Sequence, residues 1–372
     1  MNSAIVIGGG VAGATLATLL ARADWAVTLV ESARFPRIKV CGEFISPAAT
    51  EYLENILPPA ALAAVGASRI DTFTLECGGP APWWVRSSDR SLSTTFASPA
   101  WALSRATLDT ALLAVAASAH VTILQPATVR GVAYHDTHIT VTVDDSTLTA
   151  DLVIHADGSG RHDPSGPTPN APGIIGRKCH ATLPPGLVNG VQIRACNQAY
   201  VGSIIVEGGL ATIALVARAA LVARFGTDGD ALLQHLWPVW QPAWRTSDWK
   251  TCPVPRGPPI TSGHPRSFRI GNAAAAVDPI GGEGIGLALW SASTLAELLQ
   301  NQPADRAAIQ RRFLAAYRSR VRTRRPACRL AAALLMRPQL VTTFWPLLAR
   351  HTGLTQTWLA LTGKPHTLHG VY

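Results

Sequence analysis

Two side chains capable of proton transfer or nucleophilic chemistry, Cys41 and Glu43, flank Gly42 in the stretch RIKVCGEFISP, residues 37–47. A carboxylate gives or takes a proton where its surroundings tune its pKa. A thiol reacts as its thiolate, which the neighbouring Arg37 and Lys39 favour. Three roles compete for Cys41: a small packed residue, a polar edge of a pocket, or a reactive thiol open to covalent attachment. Glu43 reads either as a proton donor or acceptor or as a carboxylate bonding the loop backbone. Gly42 lacks a Cβ and leaves its backbone open to close approach. No Ser-His-Asp pattern or metal-ligand cluster stands out, and no metal is expected.

The elements that must position these groups begin upstream. AIVI, then Gly8-x-Gly10-x-x-Gly13, then ATLATLLARA and AVTLVE read as strand, turn, helix and strand. The first glycine permits a tight turn, the second a close approach of backbone to a pyrophosphate, and the third close helix–strand packing. Phosphates then lie at the helix N-terminus, where N–H groups have no partner within the helix. Glu31 ends the second strand, where a carboxylate can accept from ribose hydroxyls. The long uncharged run imitates a signal peptide, but no Lys or Arg precedes it and a glycine triplet splits it.

Three later motifs extend this unit. LTADLVIHADGSGR sets Asp157 and Gly158 at the end of an apolar strand, with His155 and His162 as structural flanks. RSFRIGNAAAAVDPIGGEGIGLALWSA repeats strand, glycine-rich loop and helix, and LSRATLDTALL contains Arg105 and Asp109. In this order the motifs resemble the group of FAD-dependent oxidoreductases that includes p-hydroxybenzoate hydroxylase, geranylgeranyl reductases and flavin-dependent halogenases. The resemblance implies an α/β (α+β) architecture: a Rossmann-type FAD-binding domain, an inserted antiparallel β-sheet substrate domain and C-terminal helices. The expected divisions are 1–70, 102–165 and 258–302 for the first, 71–101 and 166–257 for the second, and 303–372 for the helical segment.

The same resemblance assigns Gly8, Gly10, Gly13 and Glu31 to the ADP portion, makes Arg105 a cofactor contact, and matches Asp157 and Gly158 to an Asp-Gly motif. Gly271 and Asn272 match a Gly-Asp motif whose Asp bonds the ribityl chain. Here Asn272 replaces the acid, and an amide still bonds a hydroxyl. Pro279, Gly282, Gly284 and Ile285 fall at the flavin end. Apart from resemblance, reduced flavin carries negative charge, and glycines opening a helix leave N–H groups at its positive end.

The chain carries +9 formal charge at a pI of about 9.7, with nine arginines crowded between Arg306 and Arg329. That local excess lacks the aromatic interleaving of a nucleic-acid surface, so no nucleic-acid partner is expected. It reads as a solvated helix face or as a guide for an anionic partner such as a coenzyme A thioester or a carrier protein. Membrane association is not expected. Beyond residue 303, two or three short helices follow, interrupted by Pro326 and Pro338. The six scattered cysteines read as free thiols of a reducing cytoplasm. Segments such as TFTLEC, VQIRAC and YVGSIIVEG read as antiparallel strands, and Trp83, Trp84 and Trp101 as candidates to line a flat substrate pocket.

By resemblance the preferred reaction is monooxygenation: NADPH or NADH reduces FAD, dioxygen adds to form a C4a-hydroperoxyflavin, and an aromatic or apolar natural-product-type substrate is hydroxylated or epoxidised. The alternative is a reductase of an isoprenoid or other C=C bond, with Cys41 and Glu43 supplying the proton. Halogenation ranks third, because LWPVWQPAW has the wrong spacing for the halogenase Trp-x-Trp-x-Ile-Pro signature. A non-catalytic FAD-fold protein, marked by Asn272, ranks below these.

Overall fold

The computed structural model describes residues 2–78, 91–158, 173–254, 263–301 and 305–350, together with Gly353 and Thr357. The chain opens with β1 (Ser3–Ile7), α1 (Val11–Ala21) and β2 (Ala26–Val30), then β3 (Phe44–Ile45), α2 (Pro47–Glu54), α3 (Pro59–Ala64), β4 (Ser68–Cys77), β5 (Ser91–Ala102) and α4 (Arg105–Ser118). β6 (Thr122–Leu124), β7 (Val129–Tyr134), β8 (Ile139–Val143), β9 (Ser146–Ala150), β10 (Leu152–His155), β11 (Ile174–Ala181), β12 (Val191–Cys196), β13 (Ala199–Val206) and β14 (Leu210–Arg218) follow. The remainder is α5 (Ala219–Phe225), α6 (Gly229–Leu236), β15 (Lys250–Pro253), β16 (Ser267–Arg269), α7 (Glu283–Asn301), α8 (Arg306–Leu335) and α9 (Pro338–Arg350).

Five strands form a parallel sheet in the order β16-β10-β1-β2-β6. Its central strands, AIVI and LVIH, are almost wholly buried, as expected of a parallel sheet covered on both faces. One side is covered by α1, α4 and α7 through Leu16, Leu20, Leu112 and Leu289. The other packs against a separate three-stranded sheet, β7-β8-β9, through Ile139, Val141 and Ile5.

An eight-stranded sheet runs β15-β11-β14-β13-β12-β4-β5-β3, antiparallel except for the β12–β4 pair. The short β3 that ends RIKVCGEFISP joins this sheet by pairing Phe44 and Ile45 with Ala102 and Trp101. The Cys41–Glu43 loop is thereby anchored between the two sheets. One face of the larger sheet buries Cys179, Val201, Ile213 and Leu215 against α5, α6, Trp237 and Trp240. Its other face carries Phe73, Leu75, Ile193, Tyr200 and Ile204, packed with Phe44, Ile280 and the end of α8.

The expected break at Pro326 does not occur, because α8 runs through it for 30 residues. A mid-helix proline removes one backbone bond and costs about 3 kcal/mol. Upstream of it, α8 seats Ile309, Phe313, Tyr317 and Val321 in the first core; downstream it seats Cys328, Ala331, Ala332 and Leu335 in the second. Each such large side chain contributes roughly 1.5–3 kcal/mol on burial, so the two anchored ends outweigh the proline.

Gly13 is the least replaceable residue of the turn. A Cβ there would lie 1.9 Å from the Gly8 carbonyl oxygen, and Gly8 itself has φ +104 with Ala156 backbone 2.7 Å from its Cβ position. Gly13→Ala is expected to leave no soluble folded protein, measured as the soluble fraction on expression.

Candidate functional site

The turn after β1 and the N-terminus of α1 form the first half of the site. Gly10 caps α1 without a side-chain hydrogen bond, and no acidic residue occupies the first turn. The Nη2 atoms of Arg37 and Arg105 lie 3.5 and 3.6 Å from the position of a Gly10 Cβ. Arg105, the first residue of α4, is fixed by a two-pronged contact with buried Asp109, Nε to Oδ1 at 2.7 Å and Nη2 to Oδ2 at 2.8 Å. Burial works against the guanidinium charge, and Asp109 more than restores it, so the pKa of Arg105 is raised. Lys39 completes a cationic rim, with Nζ 3.2 Å from the Gly158 Cβ position. Its removal from water, together with the nearby Arg105 and Arg37 charges, pushes its pKa down to about 8.

Glu31 is buried at the end of β2 and accepts from Gly9 N at 2.8 Å and Ala33 N at 2.7 Å. Each carboxylate oxygen has a second lone pair available for a ribose hydroxyl. Asp157 Oδ1 is buried with no hydrogen-bond partner among the described residues, which suits an acceptor awaiting a ligand hydroxyl. A bare glycine turn, a helix N-terminus, three cations and an unengaged acceptor fit the ADP and sugar portions of FAD. Gly8, Gly10, Glu31, Arg37, Lys39, Arg105 and Asp157 would hold it.

The second half lies at the start of α7. Gly271, at φ +57, donates its N–H to Ser291 Oγ and its carbonyl accepts from Tyr317 Oη, which fixes the loop while Asn272 stays exposed. Asp278 caps the turn Pro279–Gly281 and accepts from Tyr200 Oη at 3.1 Å, tying the loop to β13. Gly282 has φ +63, and a Cβ there would strike the Phe44 ring at 2.6 Å. Gly42 and Gly284 have open space where a Cβ would sit, which leaves room for a flat ring. Pro279 is exposed, whereas Ile285 is buried in the core behind the loop.

Between these halves, Glu43 is completely buried at φ +57, a backbone region costly for a side-chain-bearing residue. Its Oε1 accepts from Arg105 N at 2.6 Å and from Lys178 Nζ. Its Oε2 accepts from Thr212 Oγ1 and pairs with His180 Nε2 at 2.9 Å. Burial alone would raise the pKa of Glu43; the His180 hydrogen bond and the Lys178 charge overcome it and hold the carboxyl down at about 2. Glu43 thus ties α4 to the large sheet through an ionised, fully buried carboxylate. Its neighbour Cys41 accepts from Glu43 N at 3.3 Å and is partly buried at the edge of the first core.

Lys178, His180 and Thr212 form the part that the motifs do not reveal. Lys178 and His180 are two apart on β11, hence on one face, and His180 pairs in register with Thr212 of β14. The available signal is IIGRKCHA itself: of its three basic residues, Lys178 and His180 share one face, where a buried lysine requires a partner, since Lys is almost never fully buried unpaired. Lys178→Met is expected to cost about 1–3 kcal/mol, because it leaves Glu43 ionised with fewer donors; equilibrium denaturation measures it.

The tryptophan candidates separate. Trp101 is buried in the core of the nucleotide-binding half, with Nε1 donating to Glu54 at 3.0 Å. Trp83, Trp84 and His162 lie outside the described residues. Trp237, Trp240 and Trp244 of LWPVWQPAW pack under α6 on the sheet face opposite Glu43.

A parallel sheet with a glycine turn, an acid-ended second strand and a second glycine loop defines an FAD-binding α/β fold. Residues 1–163 match the family of FAD binding domains. The fold is shared with CmlS, a flavin-dependent halogenase, at 20% identity and a TM-score of 0.72, over 85% of this chain and 62% of that one, less than two thirds of its length. It is shared with PqsL of Pseudomonas aeruginosa in complex with 2-aminobenzoylacetate, at 17% identity and a TM-score of 0.76, over 93% of this chain and 99% of that one. A variant of the halogenase PltM in complex with FAD is similar at 15% identity and a TM-score of 0.72, over 99% and 86% of the two chains. These neighbours fall in the group that the motifs resemble. No curated protein sequence matches the chain.

Proposed function

We propose that the chain is an FAD-dependent monooxygenase that uses NADPH or NADH and dioxygen to hydroxylate or epoxidise an aromatic or apolar small molecule, free or bound to a carrier or coenzyme A. The observation that carries this reading is the junction at Glu43. The glycine and cation cradle for FAD meets an apolar sheet face there, and a fully satisfied buried ion cluster holds the two together. When bound and reduced, FAD would activate dioxygen, which is the source of the oxygen atom transferred.

The chain's own residues bind, orient and exclude water. Arg37, Lys39 and Arg105 neutralise a diphosphate, and the Gly282–Gly284 turn presents backbone N–H groups to negative charge. Tyr200 and Asp278 fix that turn against the sheet. A substrate would lie beside the open space at Gly42 and Gly284, next to the Phe44 and Phe96 rings. Glu43, held ionised, has no proton to donate near neutral pH, which disfavours the reductase alternative in which it is the acid. The 2-aminobenzoylacetate bound by PqsL supports a small aromatic ligand. All six cysteines are free, and no helix among the described residues is long and apolar enough to cross a membrane.

The test is consumption of NADPH and NADH by the FAD-loaded protein with a panel of 2-aminobenzoyl and other aromatic compounds. A member that accelerates oxidation of the reductant and appears as a hydroxylated product supports the reading. Anaerobic saturation of an isoprenoid double bond with no aromatic product would replace it by the reductase.

A diphosphate favours the charged form of Lys39, so FAD affinity is expected to fall as pH rises through about 8, the lowered pKa of Lys39 in the free protein. Isothermal titration across that range measures the fall, and Lys39→Arg should flatten it.

A further inference from the structure

Between Arg306 and Arg350 there are eleven arginines and no acidic residue, so α8 and α9 alone exceed the formal charge of +9 of the whole chain. Their inner faces are accounted for by the two cores. Their outer faces are unusual, because large apolar side chains stand among the arginines. Leu330 is 63% exposed and Phe344 53%, with Leu334, Leu340 and Leu347 exposed beside them. Leu340, Phe344 and Leu347 follow an i, i+4, i+7 spacing and so form one stripe along α9. Leu330 and Leu334 form its counterpart at the end of α8, across the turn at exposed Arg337.

We propose that this outer face of α8 and α9 docks on the surface of an anionic phospholipid bilayer. An exposed apolar stripe within a basic, acid-free helix pair is the composition of a helix that lies in the interfacial plane, its apolar side chains entering the headgroup boundary and its cations meeting lipid phosphates. A single-sign charge without interspersed acids suits a diffuse anionic surface better than a protein partner of patterned charge. Since no described helix can span a bilayer, the attachment is peripheral. The docking face is separate from Glu43 and the FAD cradle, so the inference does not depend on the proposed reaction.

The full-length, FAD-loaded protein is sedimented with vesicles of phosphatidylcholine mixed with phosphatidylglycerol, and with vesicles of phosphatidylcholine alone. Binding is expected to the first and not the second at low salt, with release as salt screens the charges. Each arginine near such a surface is worth roughly five-fold in partitioning, so the combined changes Arg318→Gln, Arg322→Gln and Arg337→Gln should weaken binding roughly hundred-fold. Leu340→Asp with Phe344→Asp should weaken it at least roughly ten-fold, with an unchanged flavin spectrum and melting temperature showing that the exposed changes leave the fold intact. Failure to sediment with the anionic vesicles at low salt would overturn the proposal, whether an acidic protein or residues 351–372 occupy the face instead. Equal binding to both vesicle types, or binding indifferent to both sets of substitutions, would overturn it as well.

Discussion

Glu43→Ala is expected to lower the stability of the folded chain by about 3–5 kcal/mol, the cost of leaving a buried charge without its partner. Lys178 is wholly buried and its ammonium meets Glu43, while His180, Thr212 and the Arg105 N–H converge on the same carboxylate. Removing the acceptor orphans all four donors at once. The same contacts give stability a pH dependence of definite sign. Glu43 ordinarily titrates at 4.5 and is held at about 2 in the fold, so the unfolded chain binds the proton more readily. The stabilisation is complete above the unfolded value and is lost as pH falls from there through the folded value. At 1.36 kcal/mol per pKa unit it is worth about 3 kcal/mol. Chemical denaturation of the wild type and of Glu43→Gln, from neutral pH into this window, measures it. The wild type should lose stability on acidification by more than the variant does. Parallel curves would show that Glu43 is not the ionised hub.

Gly10→Ala separates cofactor binding from folding. A Cβ at this position meets Arg37 and Arg105 at 3.5 and 3.6 Å, ordinary contact distances, so the fold itself tolerates alanine. The space the methyl fills is the approach of backbone to the diphosphate, and a lost hydrogen bond to a charged group costs about 1.5–3 kcal/mol. FAD affinity should fall roughly 10- to 150-fold, with little change in the melting temperature of the FAD-free protein. The contrast with Gly13→Ala, where the methyl meets a carbonyl oxygen at 1.9 Å, is the check. If Gly10→Ala unfolds the chain, or if it retains full affinity, the cradle has been assigned to the wrong glycine.

These two residues also mark how far the sequence can be read. Gly8, Gly10, Gly13 and Glu31 act within a single strand-turn-helix-strand unit, so their spacing carries their geometry. The strands β1, β2 and β10 and the loop before α7 are legible from similarly local signals, whereas the pairing of β1 with β10, Ala4 with Leu152, is not. Glu43 was visible as a candidate but its role was not. The role depends on Lys178 and His180, 135 and 137 residues away, which β11 brings to it only after the large sheet has formed. Trp101 is ambiguous from its residue type alone, because an aromatic side chain gives the same signal in a pocket as in a core; the fold buries it and bonds its Nε1 to Glu54. Pro326 misleads, since local helix-breaking chemistry yields to two cores anchored at either end of α8.

The central claim, transfer of oxygen from dioxygen to a small molecule within an FAD-binding fold, is tested most directly by a single turnover under isotopically labelled dioxygen. The FAD-loaded protein is reduced without oxygen, mixed with the labelled gas and an aromatic compound that accelerates consumption of the reductant, and the products are weighed by mass spectrometry. One labelled oxygen atom is expected in the organic product, and none from labelled water. Recovery of all the label as hydrogen peroxide and water, with the aromatic compound returned unchanged, would contradict it.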